Sequence, residues 1–212
     1  DDQDIVFQCD DGSGGVETYF YLDGSLSSGN PYTIFPDNSF LGFGAIGDLQ
    51  FSHNGTDSRI DNHTGDLYIR NFHDDKDIIF QCDDGSGGVE TYFSLKGSFS
   101  GGDPYTVFPD SANLALGTGG DLNLKHNGTD SYITNFGGDL YIQNNANDKD
   151  IIFQSDDGSG GTETYFYLDG SSGGSAPFTV FPDGSNLTFG DSFDFRILHN
   201  STDTYLANYG GN

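Results

Sequence analysis

Basic residues are scarce in this chain. Seven Lys and Arg face 33 Asp and Glu across 212 residues, a formal charge of −26. Such a surface excludes nucleic-acid binding through a phosphate-neutralising face, which needs clustered cations, and anionic membranes repel it. No apolar run approaches the ~20 residues that a membrane-spanning helix requires. Methionine is absent, the first residue included. The chain therefore reads as a window cut from a longer array, and its lack of a signal peptide says nothing about export. The two cysteines, Cys9 and Cys82, hold equivalent positions in successive repeats, with Ser155 in the third. One repeat apart, they exceed the ~7 Å Cα limit of a disulfide. Two small buried thiols are expected, and a bond between equivalent cysteines of neighbouring chains stays open.

Repetition is what the chain has in abundance. Blocks with a period of 73 residues begin at Asp4, Asp77 and Asp150, with no insertion or deletion between them. Repeat 1 spans 4–76, repeat 2 spans 77–149 and repeat 3, incomplete, spans 150–212; residues 1–3 match the end of a preceding repeat. Asp4-Ile5-Val6-Phe7-Gln8-Cys9-Asp10-Asp11-Gly12-Ser13-Gly14-Gly15 returns at 77–88 and 150–161. Phe35-Pro36-Asp37 returns at 108–110 and 181–183, and His53-Asn54 returns at 126–127 and 199–200. Tandem units of this kind bury a core by stacking on neighbours, the habit of fibres and arrays.

The apolar fraction is only 33%, yet it includes 19 Phe and 12 Tyr. Few aliphatics and many rings suit thin, strand-built interiors. Glycine, 32 residues, clusters between apolar pairs and supplies turns. Repeat 1 reads as about seven short strands near 5–9, 16–22, 31–35, 40–43, 48–51, 59–60 and 66–69, the cadence of all-β structure. Helical periodicity is nowhere sustained, so almost no helix is expected. Apolar residues at i and i+2 put one narrow face inward. Phe7, Phe20, Phe35, Phe51, Leu67, Ile69 and their counterparts are the expected core. The loops at 26–30, 99–103 and 172–176, where the copies vary, are expected at the surface.

Candidate chemistry must lie inside the repeat. His53, His126 and His199 recur, but no Gly-x-Ser-x-Gly elbow sits beside them, and one His per repeat is too few for a metal site unless chains meet at an axis. Asp10, Asp11, Asp83, Asp84, Asp156 and Asp157 lie in Asp-Asp-Gly-Ser-Gly-Gly loops, whose hard oxygens on flexible turns suit Ca²⁺. The same carboxylates read equally as solvated turn residues. Five Asn-x-Ser/Thr sequons, at Asn54, Asn62, Asn127, Asn186 and Asn200, are attachment points if the chain passes a glycosylating secretory route.

Several motifs together resemble a family. They are Asp-Leu-Tyr-Ile-x-Asn (66–71, 139–144), Asp-Lys-Asp-Ile-Ile-Phe-Gln-Cys/Ser-Asp-Asp-Gly-Ser-Gly-Gly (75–88, 148–161) and Tyr-Phe-x-Leu-x-Gly-Ser (19–25 and its copies). With Gly-Asp-Leu-x-Leu-x-His-Asn-Gly-Thr-Asp-Ser-Tyr-Ile (120–133), they resemble repeats in tail-fibre and structural proteins of aquatic tailed bacteriophages. The resemblance implies a long β-structured shaft, often of three wound chains, that holds a receptor-binding tip away from the virion. It carries over no catalytic residue.

The expectation is therefore an all-β chain whose tandem repeats form an elongated β-solenoid or an intertwined β-fibre shaft. Its role would be structural and non-enzymatic, in an extracellular virion appendage or secreted filament. The partner would be the chain itself, as a trimer or helical filament, with no nucleic acid and no membrane insertion. The rival is an adhesin whose repeated turns bind a cell-surface glycan. A polysaccharide-degrading tailspike would need paired acids in a groove, whereas the acids here are triplicated in turns.

Overall fold

In a computed structural model of the chain, residues 3–26, 29–99, 102–171, 174 and 176–210 are described. Parts of the variable loops (27–28, 100–101, 172–173 and 175) lie outside the described residues, as do 1–2 and 211–212. No helix occurs among the described residues; all regular structure is strand.

Repeat 1 contains β1 (Ile5–Cys9), β2 (Glu17–Asp23), β3 (Tyr32–Ile34), β4 (Phe40–Phe43), β5 (Leu49–His53) and β6 (Ser58–Asn62). Repeat 2 contains β7 (Ile78–Asp83), β8 (Val89–Lys96), β9 (Tyr105–Val107), β10 (Asn113–Leu116), β11 (Leu122–His126) and β12 (Ser131–Asn135). Repeat 3 contains β13 (Ile151–Asp156), β14 (Thr162–Asp169), β15 (Phe178–Val180), β16 (Asn186–Phe189), β17 (Phe195–His199) and β18 (Thr204–Asn208). Each repeat thus builds two three-stranded antiparallel sheets in simple meander order, β1-β2-β3 and β4-β5-β6 in the first. The chain divides into two compact units, Asp1–Pro109 and Asp110–Asn212. Each holds three sheets, and the division falls between the two sheets of repeat 2.

Local sequence explains the meanders. β-branched and aromatic residues fill the strands, while Gly12, Gly14 and Gly15 take φ of 89°, 89° and 122° in the β1–β2 loop, conformations that side chains oppose. A β-bulge follows Phe7, where the pairing passes from Phe7↔Phe20 to Gln8↔Thr18, and it recurs after Phe80 and Phe153. The extra residue is Tyr19, Tyr92 or Tyr165, and each hydroxyl reaches back to a loop carbonyl, that of Asp10, Asp83 or Asp156. Bulges re-aim side chains in this way.

Each sheet displays one apolar row. In the first sheet Phe7 stacks on Phe20 at 4.4 Å between centroids, and Phe20 on Phe35 at 5.7 Å. The rows Phe80–Phe93–Phe108 and Phe153–Phe166–Phe181 repeat this within 0.2 Å. In the second sheet Leu41, Phe51 and Ile60 stand side by side across three strands, as do Leu114, Leu124 and Ile133.

These rows correct the expected core. The residues do align on one face, but among the described residues no apolar side chain is buried, and only Ser94, at 4% exposure, is buried at all. Phe7 is 45% exposed, Phe35, Phe51, Leu67 and Ile69 are exposed as well, and Phe20 is half-buried. A three-stranded sheet has no second layer unless another element supplies one, and among the described residues none does. The same reason overturns the buried thiols, since Cys9 and Cys82 are free and exposed. The expected strands at 66–69 and 139–142 also fail: both segments lack ladder pairing, leaving six strands per repeat. The Asn62 amide instead donates to the Thr64 and Gly65 carbonyls, closing a turn after β6.

The ring stacks yield a direct test. Phe93→Ala removes two ring contacts at once, each worth about 0.5–1.5 kcal/mol. Chemical denaturation should show a loss of about 1–3 kcal/mol, against less than about 0.5 for the exposed Val89→Ala in the same strand. Equal losses would mean that the stack contributes nothing.

Candidate functional site

Polar side chains recur at three places in each repeat, two of them turns and the third at strand ends. In the β1–β2 loop Asp10 Oδ1 accepts the Gly12 N–H at 2.7 Å, and Asp11 Oδ1 accepts the Ser13 N–H at 2.9 Å and the Ser13 hydroxyl at 2.5 Å. Asp83 and Asp84 accept from Gly85 and Ser86, and Asp156 and Asp157 from Gly158 and Ser159, in the same pattern. These are Asx turns, in which a carboxylate satisfies the backbone two residues on. Ser13 and its hydroxyl hold the Asp11 carboxyl below its ordinary value, as Ser159 does for Asp157. Each of the six candidate Ca²⁺ aspartates thus spends an oxygen on its own loop. Among the described residues no three His, Cys, Asp or Glu side chains group as a cation site would need.

The second place is the corner after β5. Asn54 Oδ1 accepts the Thr56 and Asp57 N–H groups at 3.0 and 2.8 Å, and Asn127 and Asn200 repeat the arrangement. Three of the five sequon asparagines therefore build one recurrent turn. Asn54, Asn127, Asn186 and Asn200 are exposed, whereas Asn62 is half-buried with its amide turned inward to the chain.

The third place is the histidine. His53 Nδ1 lies 3.1 Å from Ser58 Oγ, and His53 Nε2 lies 3.9 Å from Asp37 Oδ1. His199 sits likewise between Thr204 Oγ1 at 3.2 Å and Asp183 at 3.9 Å, and His126 Nδ1 is 3.1 Å from Ser131 Oγ. Sequence reading found the histidine but not its neighbours. The available signal was the fixed interval between Phe-Pro-Asp and His-Asn in all three copies. The trio has the residue types of a nucleophilic triad but not its physics. A separation of 3.9 Å is no hydrogen bond. The His53 and Asp37 side chains are 44% and 61% exposed, so water screens the pair that a triad keeps buried. The His53 carbonyl also accepts the Asn38 N–H at 2.8 Å, which ties the turn after Pro36 to the end of β5.

One ion pair stands apart. Lys96 Nζ lies 2.8 Å from Asp77 Oδ2, and both side chains are largely shielded. Asp77 Oδ1 also accepts the Gly97 N–H, a bond repeated by Asp4 with Gly24 and Asp150 with Gly170. Lys96, then the Gly97 N–H, holds the Asp77 carboxyl below its ordinary value.

Comparison with protein-family models, with curated proteins and with solved structures returned no match.

Carboxyls held low stabilise the fold above the ordinary carboxylate value, and that contribution is lost as pH falls through the lowered one. Carboxyl-carbon NMR titration should therefore show Asp11 and Asp77 ionising below the ordinary 3.8. Ser13→Ala should move Asp11 up toward that value, and Lys96→Ala should do the same for Asp77. Unmoved midpoints would show that these bonds do not persist in solution.

Proposed function

We propose that this chain is a structural segment of a self-assembling extracellular fibre, in which further copies of the chain cover its apolar rows. The uncovered rows carry this reading. The rows recur in all three repeats, and among the described residues no apolar side chain is buried, so a single ligand on one row would leave the others bare. Three near-identical rows of stacked phenylalanine match the same rows on another copy, so self-pairing satisfies every repeat together.

The occupant is a second copy rather than an unrelated partner because the spacing is internal to the chain. Rows that recur every 73 residues fit best against a partner with the same period. A wound trimer and an end-to-end filament both meet that requirement. The shaft of a phage-type tail fibre or a secreted surface filament is the corresponding biological role, in keeping with the sequence resemblance. Like charge opposes the association, at −26 per chain, and exposed charges are screened beyond ~8 Å at physiological salt.

Sedimentation of the 212-residue chain at micromolar concentration should show a multimer at 150 mM NaCl and partial dissociation at 10 mM. Replacing NaCl with CaCl₂ at equal ionic strength separates screening from a cation site, because only a site would make calcium the more effective salt. Phe108→Ala, in the middle repeat, should cost the assembly about 3–5 kcal/mol once that ring is enclosed. A compact folded monomer at every salt concentration would defeat the reading.

A further inference from the structure

Repeat 3 departs from its siblings at one groove. The groove, about 670 Å³, lies within the unit Asp110–Asn212, in the size range of small-ligand sites. Asp157 from the β13–β14 loop, Glu163 and Tyr165 from β14, and Asp183 from the turn before β16 line it. Phe193 and Arg196 complete it. The first four have the same residue type in repeats 1 and 2; the last two do not. Phe193 stands where the other copies have Gly47 and Gly120, and Arg196 where they have Gln50 and Asn123.

Both replacements work against the fold. Position 193 requires a left-handed backbone, with φ of 71° at Gly47 and 69° at Gly120, and Phe193 adopts 58°. For a bulky residue that conformation costs about 1–2 kcal/mol, and strain of this kind gathers at functional sites. The ring nevertheless gains no burial, for it is 65% exposed at the edge of the groove. In repeat 1 the Gln50 amide closes onto the Gly47 carbonyl at 2.9 Å. Arg196 instead turns to the Tyr209 hydroxyl at 3.1 Å, and its Nε is shielded from water with no hydrogen-bond partner.

We propose that this groove binds a neutral pyranose-containing oligosaccharide. The lining offers acceptors in Asp157, Glu163 and Asp183 and a donor in Arg196, the mixture that suits hydroxyls, which both give and take hydrogen bonds. Phe193 and Tyr165 supply flat faces for the C–H side of a sugar ring. Three carboxylates repel an anionic ligand, and the aromatic faces of Phe193 and Tyr165 favour a sugar ring over a small cation. The site is independent of the self-association reading, since neither new residue belongs to the apolar rows.

The test uses the whole 212-residue chain. Maltohexaose, mannohexaose, galactohexaose and xylohexaose are titrated by calorimetry and saturation-transfer NMR, with sialyllactose and hexalysine as charged comparisons. At least one neutral oligosaccharide should bind with Kd below about 10 mM. Phe193→Gly should weaken it about tenfold, as loss of one ring contact implies, and Arg196→Gln should weaken it as well. Phe193→Gly removes strain and should leave the unfolding midpoint equal or higher, so a folding defect cannot mimic the effect. No neutral binding, tighter binding of a charged probe, or full affinity in Phe193→Gly would each overturn the proposal. An unchanged sedimentation profile for Phe193→Gly separates this site's failure from that of the fibre reading.

Discussion

A sheet of three short strands cannot cover its own apolar face, and every other feature of this protein follows from that constraint. Phe7, Phe20 and Phe35 are placed as a core would place them, parallel and in contact. Among the described residues no second layer buries them. Hydrophobic burial normally supplies the dominant stabilising term of a fold. Here that term is small within the described residues, and on the fibre reading proposed above the rest would come from association.

Without a covered core, the single chain depends on local bonding for its shape. Carboxylates and amides supply it: Asp10, Asp11 and Asp23 cap loops, Asn54 builds a corner, and Asp4 ties the end of a hairpin to its start. Each bond spans few residues or one hairpin, and each recurs at the same place in both later repeats except that of Asp23, which returns at Asp169 while repeat 2 has Lys96 there. The acidity of the chain is thus largely a by-product of turn building, with Asp serving as the backbone's partner in preference to water. Placing charge in turns and apolar residues in rows also keeps like charges away from the surfaces that the proposed fibre would bring together.

Strand order and turn chemistry were legible in the sequence because both are local. Alternation, β-branched residues and glycine clusters mark the meanders to within a residue or two, and β1 is bounded as Ile5–Cys9 in both readings. Burial was not legible, because the alternation that puts Phe51 on one face says nothing about whether that face is covered. Leu67 and Ile69 show the related limit. Their i, i+2 spacing is that of a strand, yet a strand also needs a neighbour with free ladder groups, which pattern alone cannot supply. Asp37 and Ser58 were invisible for a third reason: their proximity to His53 depends on how separate turns converge.

If the repeats pack in register, as the proposed fibre requires, they tolerate change only where packing does not reach. Repeat 3 distinguishes two kinds of drift by this rule. Ser201 replaces Gly55 and Gly128 at a left-handed position with φ of 72°, and a small polar residue in an Asn-built corner adds little. Phe193 makes the same backbone demand with a large apolar ring that finds no shelter. Random drift at an exposed turn would favour residues that ease the strain, such as Gly or Asn. On the proposal of a sugar-binding groove, a ring held there at a cost, beside an arginine that does not make the turn bond of Gln50, gains a use outside the chain.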